Sequence, residues 1–290
     1  MNSILITGAT GNVGAAVIAA LLGADERIEI LAGLRGLRAG HAYGDRVKAV
    51  PFDFADPASA TAALRRCDTL FLLRPPQLAD VKTYFQPLIA AAREQSVKHI
   101  VFLSVQGADK SPLIPHHKIE RLIVQSGIPY TFLRPAYFMQ NFTTTLLRDI
   151  TAHDRIYLPA SDAKFALIDV QDVGIAAAQV LCAPTAHLNQ AYDLTNGELL
   201  NFGEMAAVLS EVAGRVITYT SPGLLPFFLT KRREGIAPGL ILVMIMLHYL
   251  PRFQAAPALS DWAGRLTGRQ PATFAAFARR HEALFRPDAR

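Results

Sequence analysis

Cysteine is nearly absent from the 290-residue chain, which has only Cys67 and Cys182. Two thiols make no disulfide framework, and they suit a reducing compartment, so a cytoplasmic location is expected. Charge is also sparse: charged residues are 18% of the chain and leave a mild net +5. The basic residues are scattered, with short clusters only at Lys231-Arg232-Arg233 and Arg279-Arg280. Without a basic stripe or a base-reading motif, nucleic acid is not an expected partner. No apolar run reaches the roughly 20 residues of a membrane span. Residues 240–247 come nearest, but Pro238-Gly239 and His248 bound them, and they read as a buried helix or an apolar cleft wall. No membrane partner is expected, and no secretory leader is read, because the N-terminus enters directly into a strand pattern. A clustered set of Cys/His metal ligands is lacking too. So are a nucleophile elbow, a paired-carboxylate site and a phosphate-transfer lysine motif.

What the chain does have begins at once. The apolar run Ile4-Leu5-Ile6 leads into Thr7-Gly8-Ala9-Thr10-Gly11-Asn12-Val13-Gly14, and an apolar helix pattern covers 15–22. Strand, glycine turn and helix, in that order, are the context a dinucleotide fingerprint requires. Gly8 can take turn angles that a Cβ forbids, Gly11 lets a pyrophosphate approach, and Gly14 lets the helix pack on its strand. The helix N-terminus then offers N–H groups and a positive dipole end to phosphates.

Further strands are expected over 27–34, 47–54, 69–73, 99–105 and 130–135, with helices over 58–66, 80–95 and 116–126 between them. Alternation at this spacing predicts an α/β fold, a Rossmann-type doubly wound parallel sheet with helices on both faces. Where an NAD site would place a carboxylate at the tip of the second strand, Arg35 stands, with Arg38 close behind. A guanidinium suits a 2′-phosphate, so NADP is expected over NAD. Asp53 and Phe54 stand at the carboxyl end of the third strand, where Asp53 either meets the adenine or caps the turn. Beyond about residue 150 the pattern loosens, with strands over 163–169, 190–194 and 216–220. Helices are read over 174–182, 201–212 and 271–285. The expected organisation is a nucleotide domain over 1–150 and a smaller substrate lobe over 151–290, interwoven with it.

The glycine turn, Ser104 at a strand end, Lys118 with Glu120, and Leu133-Arg134-Pro135-Ala136-Tyr137-Phe138-Met139-Gln140-Asn141 together resemble the NmrA-like atypical short-chain dehydrogenases/reductases. Asp169-Val170-Gln171-Asp172-Val173-Gly174 and 266–274 add to the resemblance, which spans nearly the whole chain. Within the group the chain is similar to type 2 NAD(P)H:quinone oxidoreductases and triphenylmethane dye reductases. The resemblance implies that Gly8, Thr10, Gly11, Asn12 and Val13 hold the pyrophosphate and Arg35 the adenosine phosphate. It implies that Leu73, Arg74, Pro75, Ser104, Lys118, Pro135, Ala136, Tyr137 and Phe138 line the ribose and nicotinamide end.

One departure matters. Reductases of the wider superfamily use a tyrosine four residues before the lysine as proton donor; here that residue is Ile114, which has no proton to give. Hydride transfer to a quinone or a conjugated dye needs no strong acid, so positioning alone can serve it. Otherwise Tyr137, His116 or His117 replaces the acid, although neighbouring histidines on a helix point about 100° apart. Lys118 directed at the ribose and Tyr137 are the catalytic candidates. Phe138, Met139, Phe142 and the 240–247 run are candidates for an apolar acceptor pocket, or are plain core. Two functions follow from the resemblance: a reductase of a small conjugated acceptor, or a non-catalytic NADP(H) sensor that acts through a protein partner. A second copy of the chain is the other partner considered.

Overall fold

The computed structural model describes residues 3–36 and 46–286. In chain order the first elements are β1 (Ser3–Ile6), α1 (Asn12–Ala24), β2 (Glu29–Leu34), β3 (Val47–Pro51), α2 (Pro57–Leu64), β4 (Thr69–Leu73) and α3 (Val81–Glu94). They continue with β5 (His99–Leu103), α4 (Pro115–Ser126), β6 (Tyr130–Pro135), β7 (Tyr137–Phe138), α5 (Leu147–His153), β8 (Arg155–Tyr157) and β9 (Phe165–Ile168). Next come α6 (Val170–Cys182), β10 (Gln190–Leu194), β11 (Leu199–Leu200), α7 (Phe202–Ala213) and β12 (Thr218–Thr220). The last are α8 (Leu224–Arg233), α9 (Pro238–Tyr249), α10 (Trp262–Thr267), α11 (Phe274–Arg280) and α12 (Glu282–Phe285). Among the described residues no helix is long and apolar enough to cross a membrane.

Two compact units divide these elements. The first runs to Ala136 and takes in Val170–Leu194 and Asp261–Gln270; the second holds Tyr137–Asp169, Thr195–Ser260 and the chain from Pro271. A single cut after residue 150 therefore does not describe the chain. It leaves the first unit after Ala136 and returns twice, because β10 is the edge strand beside β6 and α6 packs on α1.

The first unit is built on a seven-stranded sheet in the order β10-β6-β5-β4-β1-β2-β3, with every pairing parallel. The inner strands read as unbroken apolar runs, as expected for a sheet covered on both faces. All of Ser3–Ile6 and His99–Leu103 is buried. Helix boundaries follow local chemistry. Asp56 accepts from the Ala58 N–H ahead of α2, Asp80 accepts from the Thr83 N–H ahead of α3, and left-handed Gly127 ends α4. The contact of α6 with α1 is close: a Cβ on Gly174 would lie 2.7 Å from the Ala16 carbonyl carbon and oxygen. Strand order reverses at β1, which has β2 on one side and β4 on the other, and this switch point opens a crevice at the strands' carboxyl ends.

In the second unit β11-β9-β7 and β12-β8 form two small sheets around an aromatic core that includes Phe142, Phe165, Phe202 and Phe274. The helix expected over 271–285 is two helices, α11 and α12, joined at His281. The helix expected over 240–247 forms as α9, but only Ile241, Met244 and His248 of it are buried. The buried-helix reading is corrected by this exposure.

Candidate dinucleotide site

At the switch point the end of β1 is tied to the end of β4 by one buried side chain. The Thr7 hydroxyl accepts from the Leu73 N–H at 2.8 Å and lies 3.2 Å from the Phe71 carbonyl oxygen, to which it donates. Gly8 follows in the left-handed region, with φ +65°. The Gly11 N–H donates to the Gly8 carbonyl at 3.0 Å, which closes the turn and sets Gly11 as the cap of α1. A Cβ at Gly14 would lie 2.2 Å from the Gly8 oxygen and 2.8 Å from the Ala9 Cα. Gly14 thus lets the helix sit on the backbone of the turn itself, where helix-on-strand packing was expected. No side chain caps α1 and no acidic residue occupies its first turn. The N–H groups left over at a helix start therefore meet no competing carboxylate, which is the condition for an anion site. Thr10, Gly11 and Asn12 are exposed; the Val13 side chain is buried, so its backbone is the part available to a ligand.

Around this turn the other expected residues fall unequally. Arg35 is exposed one residue beyond β2, as the 2′-phosphate reading needs; Arg38 lies outside the described residues. β3 stops at Pro51 because Asp53 builds a turn: its carboxylate accepts from the Ala55 N–H at 2.9 Å. Of the two roles open to Asp53, capping is the one seen in this structure. Phe54 packs edge-on to Phe52 and against Phe85. Arg74, next to Leu73, donates through Nη1 to the carbonyls of Pro75, Pro76 and Leu78 and through Nε to His116 Nε2 at 3.3 Å. Burial, with Arg74 beside it, pushes His116 down to about 3, so it stays a neutral acceptor. Ser104 is buried at the end of β5, and its Oγ has no hydrogen-bond partner among the described residues. A turn that a Cβ would fill, an acid-free helix start and an orphaned hydroxyl at the strand ends together fit a dinucleotide.

Helix α4 carries the lysine and histidines. His116 and His117 are more than surface residues: besides the Arg74 bond, His117 Nδ1 lies 2.9 Å from the Ala108 carbonyl. Lys118 is exposed and borders a groove of about 530 Å³ with Asp80, Lys82, Gln86 and Arg121. None of the glycine-turn residues lines that groove.

A family model described as the NmrA-like family matches residues 1–226. The chain belongs to the NmrA-like family. The NAD(P)H azoreductase of Xenophilus azovorans is 30% identical over 287 residues, 97% of this chain and 99% of its own length. Among solved structures, the NADPH-dependent quinone oxidoreductase of Escherichia coli complexed with NADPH is 26% identical. It matches with a TM-score of 0.87 over 96% of this chain and 99% of that one. The Citrobacter sp. triphenylmethane reductase complexed with NADP(H) is 25% identical, with a TM-score of 0.85 over 97% and 100%.

In this NmrA-like chain several marks of the resemblance prove to be halves of ion pairs. Arg134 donates to Glu120 through Nε at 3.0 Å and Nη2 at 2.6 Å, a bidentate fork between β6 and α4. Arg269 Nη2 donates to Asp172 at 2.5 Å. Buried Asp169 receives Gln140 Nε2 at 2.7 Å and is paired with Arg280. Pro135 ends β6 opposite Leu194, and the Ala136 N–H donates to the Leu194 carbonyl at 3.0 Å. Phe138 belongs to the second unit, in register with Ile168.

Tyr137 also belongs to the second unit, and its hydroxyl is engaged. His248 Nδ1 lies 2.6 Å from the Met244 carbonyl, which can only accept, so Nδ1 carries the hydrogen. Nε2 is then an acceptor, and the Tyr137 hydroxyl donates to it at 3.1 Å. Burial raises the Tyr137 phenol, and burial lowers His248 to about 4, so the bond joins two neutral groups. Sequence reasoning missed His248; its one signal was a polar residue closing an apolar run.

Burial also lowers His99 to about 4 from the ordinary 6.5. An unfolded imidazole takes up its proton as pH falls through 6.5, whereas these buried rings stay neutral down to about 4. Their contribution is complete above pH 6.5 and is lost as pH falls towards 4. The expected loss is on the order of 2 kcal/mol per buried imidazole by pH 5. Urea midpoints at neutral pH and at pH 5 check this, and His99→Gln should flatten the dependence.

Proposed function

We propose that the chain is an NAD(P)H-dependent reductase that passes hydride to a quinone-like or other conjugated small molecule, using NADPH ahead of NADH. The observation that carries this reading is the glycine turn. Its backbone leaves room that a Cβ would fill, in front of a helix start free of acidic side chains. The reductases named above support the same reading. Backbone groups of Gly8, Gly11 and Val13, with Thr10 and Asn12, hold the pyrophosphate, and Arg35 takes the 2′-phosphate through its fork. Ser104 offers its unpartnered hydroxyl on the ribose and nicotinamide side, and Arg74 keeps the 75–78 loop in place there. When bound, the reduced nicotinamide supplies the hydride; the protein supplies proximity and orientation. Ile114 removes the usual tyrosine, and Tyr137 already spends its proton on His248. An acceptor that delocalises the incoming electron pair needs no strong acid from Lys118 or Tyr137.

The test is oxidation of NADPH and NADH, followed by absorbance, with quinones, azo dyes and triphenylmethane dyes as acceptors. NADPH should be the better donor, and Arg35→Ala should raise its KM about tenfold to a hundredfold while leaving NADH little changed. A preference for NADH that Arg35→Ala leaves alone would overturn the cofactor assignment. Tight binding with no oxidation by any acceptor would replace the reductase with the sensor.

A further inference from the structure

The second unit exposes an apolar surface outside the residues described for the dinucleotide. A helix apolar on all sides is ordinarily buried, yet Leu242 is 59% exposed on α9 and Phe253, just beyond it, is 70% exposed. Helical spacing sets Leu242, Met246, Leu250 and Phe253 along one stripe. On neighbouring α8, Leu225 is 67% exposed, and Leu229 lies one turn further on. Exposed apolar areas of this kind mark a surface that something else covers.

The charges around the stripe say what covers it. Among the described residues of 224–259, every exposed charged side chain is an arginine: Arg232, Arg233 and Arg252. Lys231 is buried and paired with Asp149 and Glu234, so both of those acids are already satisfied. Arg252 lies beside the stripe, its guanidinium carbon 4.8 Å from the Tyr249 ring centroid and 5.8 Å from that of Phe253. A cation held at the edge of exposed leucines and phenylalanine is the arrangement of an interfacial helix, apolar below and basic at headgroup level. A second copy of the chain fits poorly, because the exposed charges of 224–259 are all basic and the same patch on a partner offers them no exposed acid. From Leu242 to Phe253 the stripe is about 17 Å long, more than a small acceptor covers.

We infer that the α8–α9 face docks on an anionic lipid surface, with the leucine and phenylalanine side chains in the acyl boundary and the three arginines on the headgroups. The helices lie on the bilayer and do not span it. The earlier expectation of no membrane partner rested on the length of the apolar run, which bears on spanning alone. The inference is independent of the reductase reading, because docking is measured without cofactor or acceptor.

The experiment is co-sedimentation of the full chain with vesicles of phosphatidylglycerol and phosphatidylcholine, against vesicles of phosphatidylcholine alone. Binding is expected on the mixed vesicles and should weaken with salt. Each arginine is expected to be worth about fivefold, so Arg232→Gln, Arg233→Gln and Arg252→Gln together should cost about a hundredfold. Phe253→Asp should lower binding separately, with circular dichroism checking that it folds. If it does not fold, the arginine variant carries the test alone. Equal binding to both vesicles, or none to either, would overturn the inference. So would a dimer in analytical ultracentrifugation that Phe253→Asp dissociates, since the face would then be an interface between copies.

Discussion

Gly14→Ala is expected to weaken NADPH binding by a hundredfold or more. The added Cβ would sit 2.2 Å from the Gly8 oxygen and 2.8 Å from backbone atoms of Gly8 and Ala9. These are backbone atoms, and no side-chain rotation can relieve the clash. Either the first turn of α1 retreats by about an ångström or the Gly8–Gly11 turn opens, in a packed interior that resists both. A displacement of that size at a positioning group costs about a hundredfold by itself. Overpacking should also lower stability by about 1–3 kcal/mol. Gly11→Ala is the internal comparison: its Cβ would meet the Gly8 oxygen at 3.3 Å, which a small shift absorbs. Thermal melts should therefore separate the two variants, whereas fluorescence titration with NADPH should show both weakened, because a Cβ at Gly11 also meets the approaching pyrophosphate. Wild-type affinity in Gly14→Ala would remove the α1 start from the phosphate site.

Arg134→Leu is expected to destabilise the first unit by about 3–5 kcal/mol, the cost of leaving a buried carboxylate without its partner. Glu120 is 5% exposed, and Arg134 meets both of its oxygens. Adding Glu120→Gln should recover part of the loss, since the uncompensated charge disappears with it. Chemical denaturation of the two single variants and the double variant closes the cycle. A cost under about 1 kcal/mol for Arg134→Leu would class the pair with exposed ion pairs. At the full cost, the role of Arg134 in the Leu133-Arg134-Pro135 signature is structural: it fastens α4 to β6, close to the strand end that carries Ser104.

The comparison between sequence and structure turns on range. Strands at Thr69–Leu73, Tyr130–Pro135 and Gln190–Leu194 stand where apolar patterning places them. The parallel order was legible in the alternation of strand and helix. The glycine turn was legible too, because a left-handed φ at Gly8 and an uncapped helix start are properties of a few consecutive residues. β3 ends early because Asp53 bonds to the backbone two residues on, a local choice with two readings in the sequence. The partners of the charged marks were not legible: Asp172 meets Arg269 across 97 positions and Asp169 meets Arg280 across 111. His248, 111 positions from Tyr137, was hidden in the same way.

By itself the sequence determined a parallel α/β sheet, a nucleotide turn at its first strand and the loss of the usual tyrosine at Ile114. All three depend on residue type and spacing of a few positions, where backbone sterics and strand or helix periodicity act. Tertiary structure alone decided that Gly14 rests on the turn, that Tyr137 gives its hydrogen to His248, and that α9 shows its apolar face to solvent. Those outcomes depend on which distant segments are brought into contact, and burial and pairing are consequences of that contact.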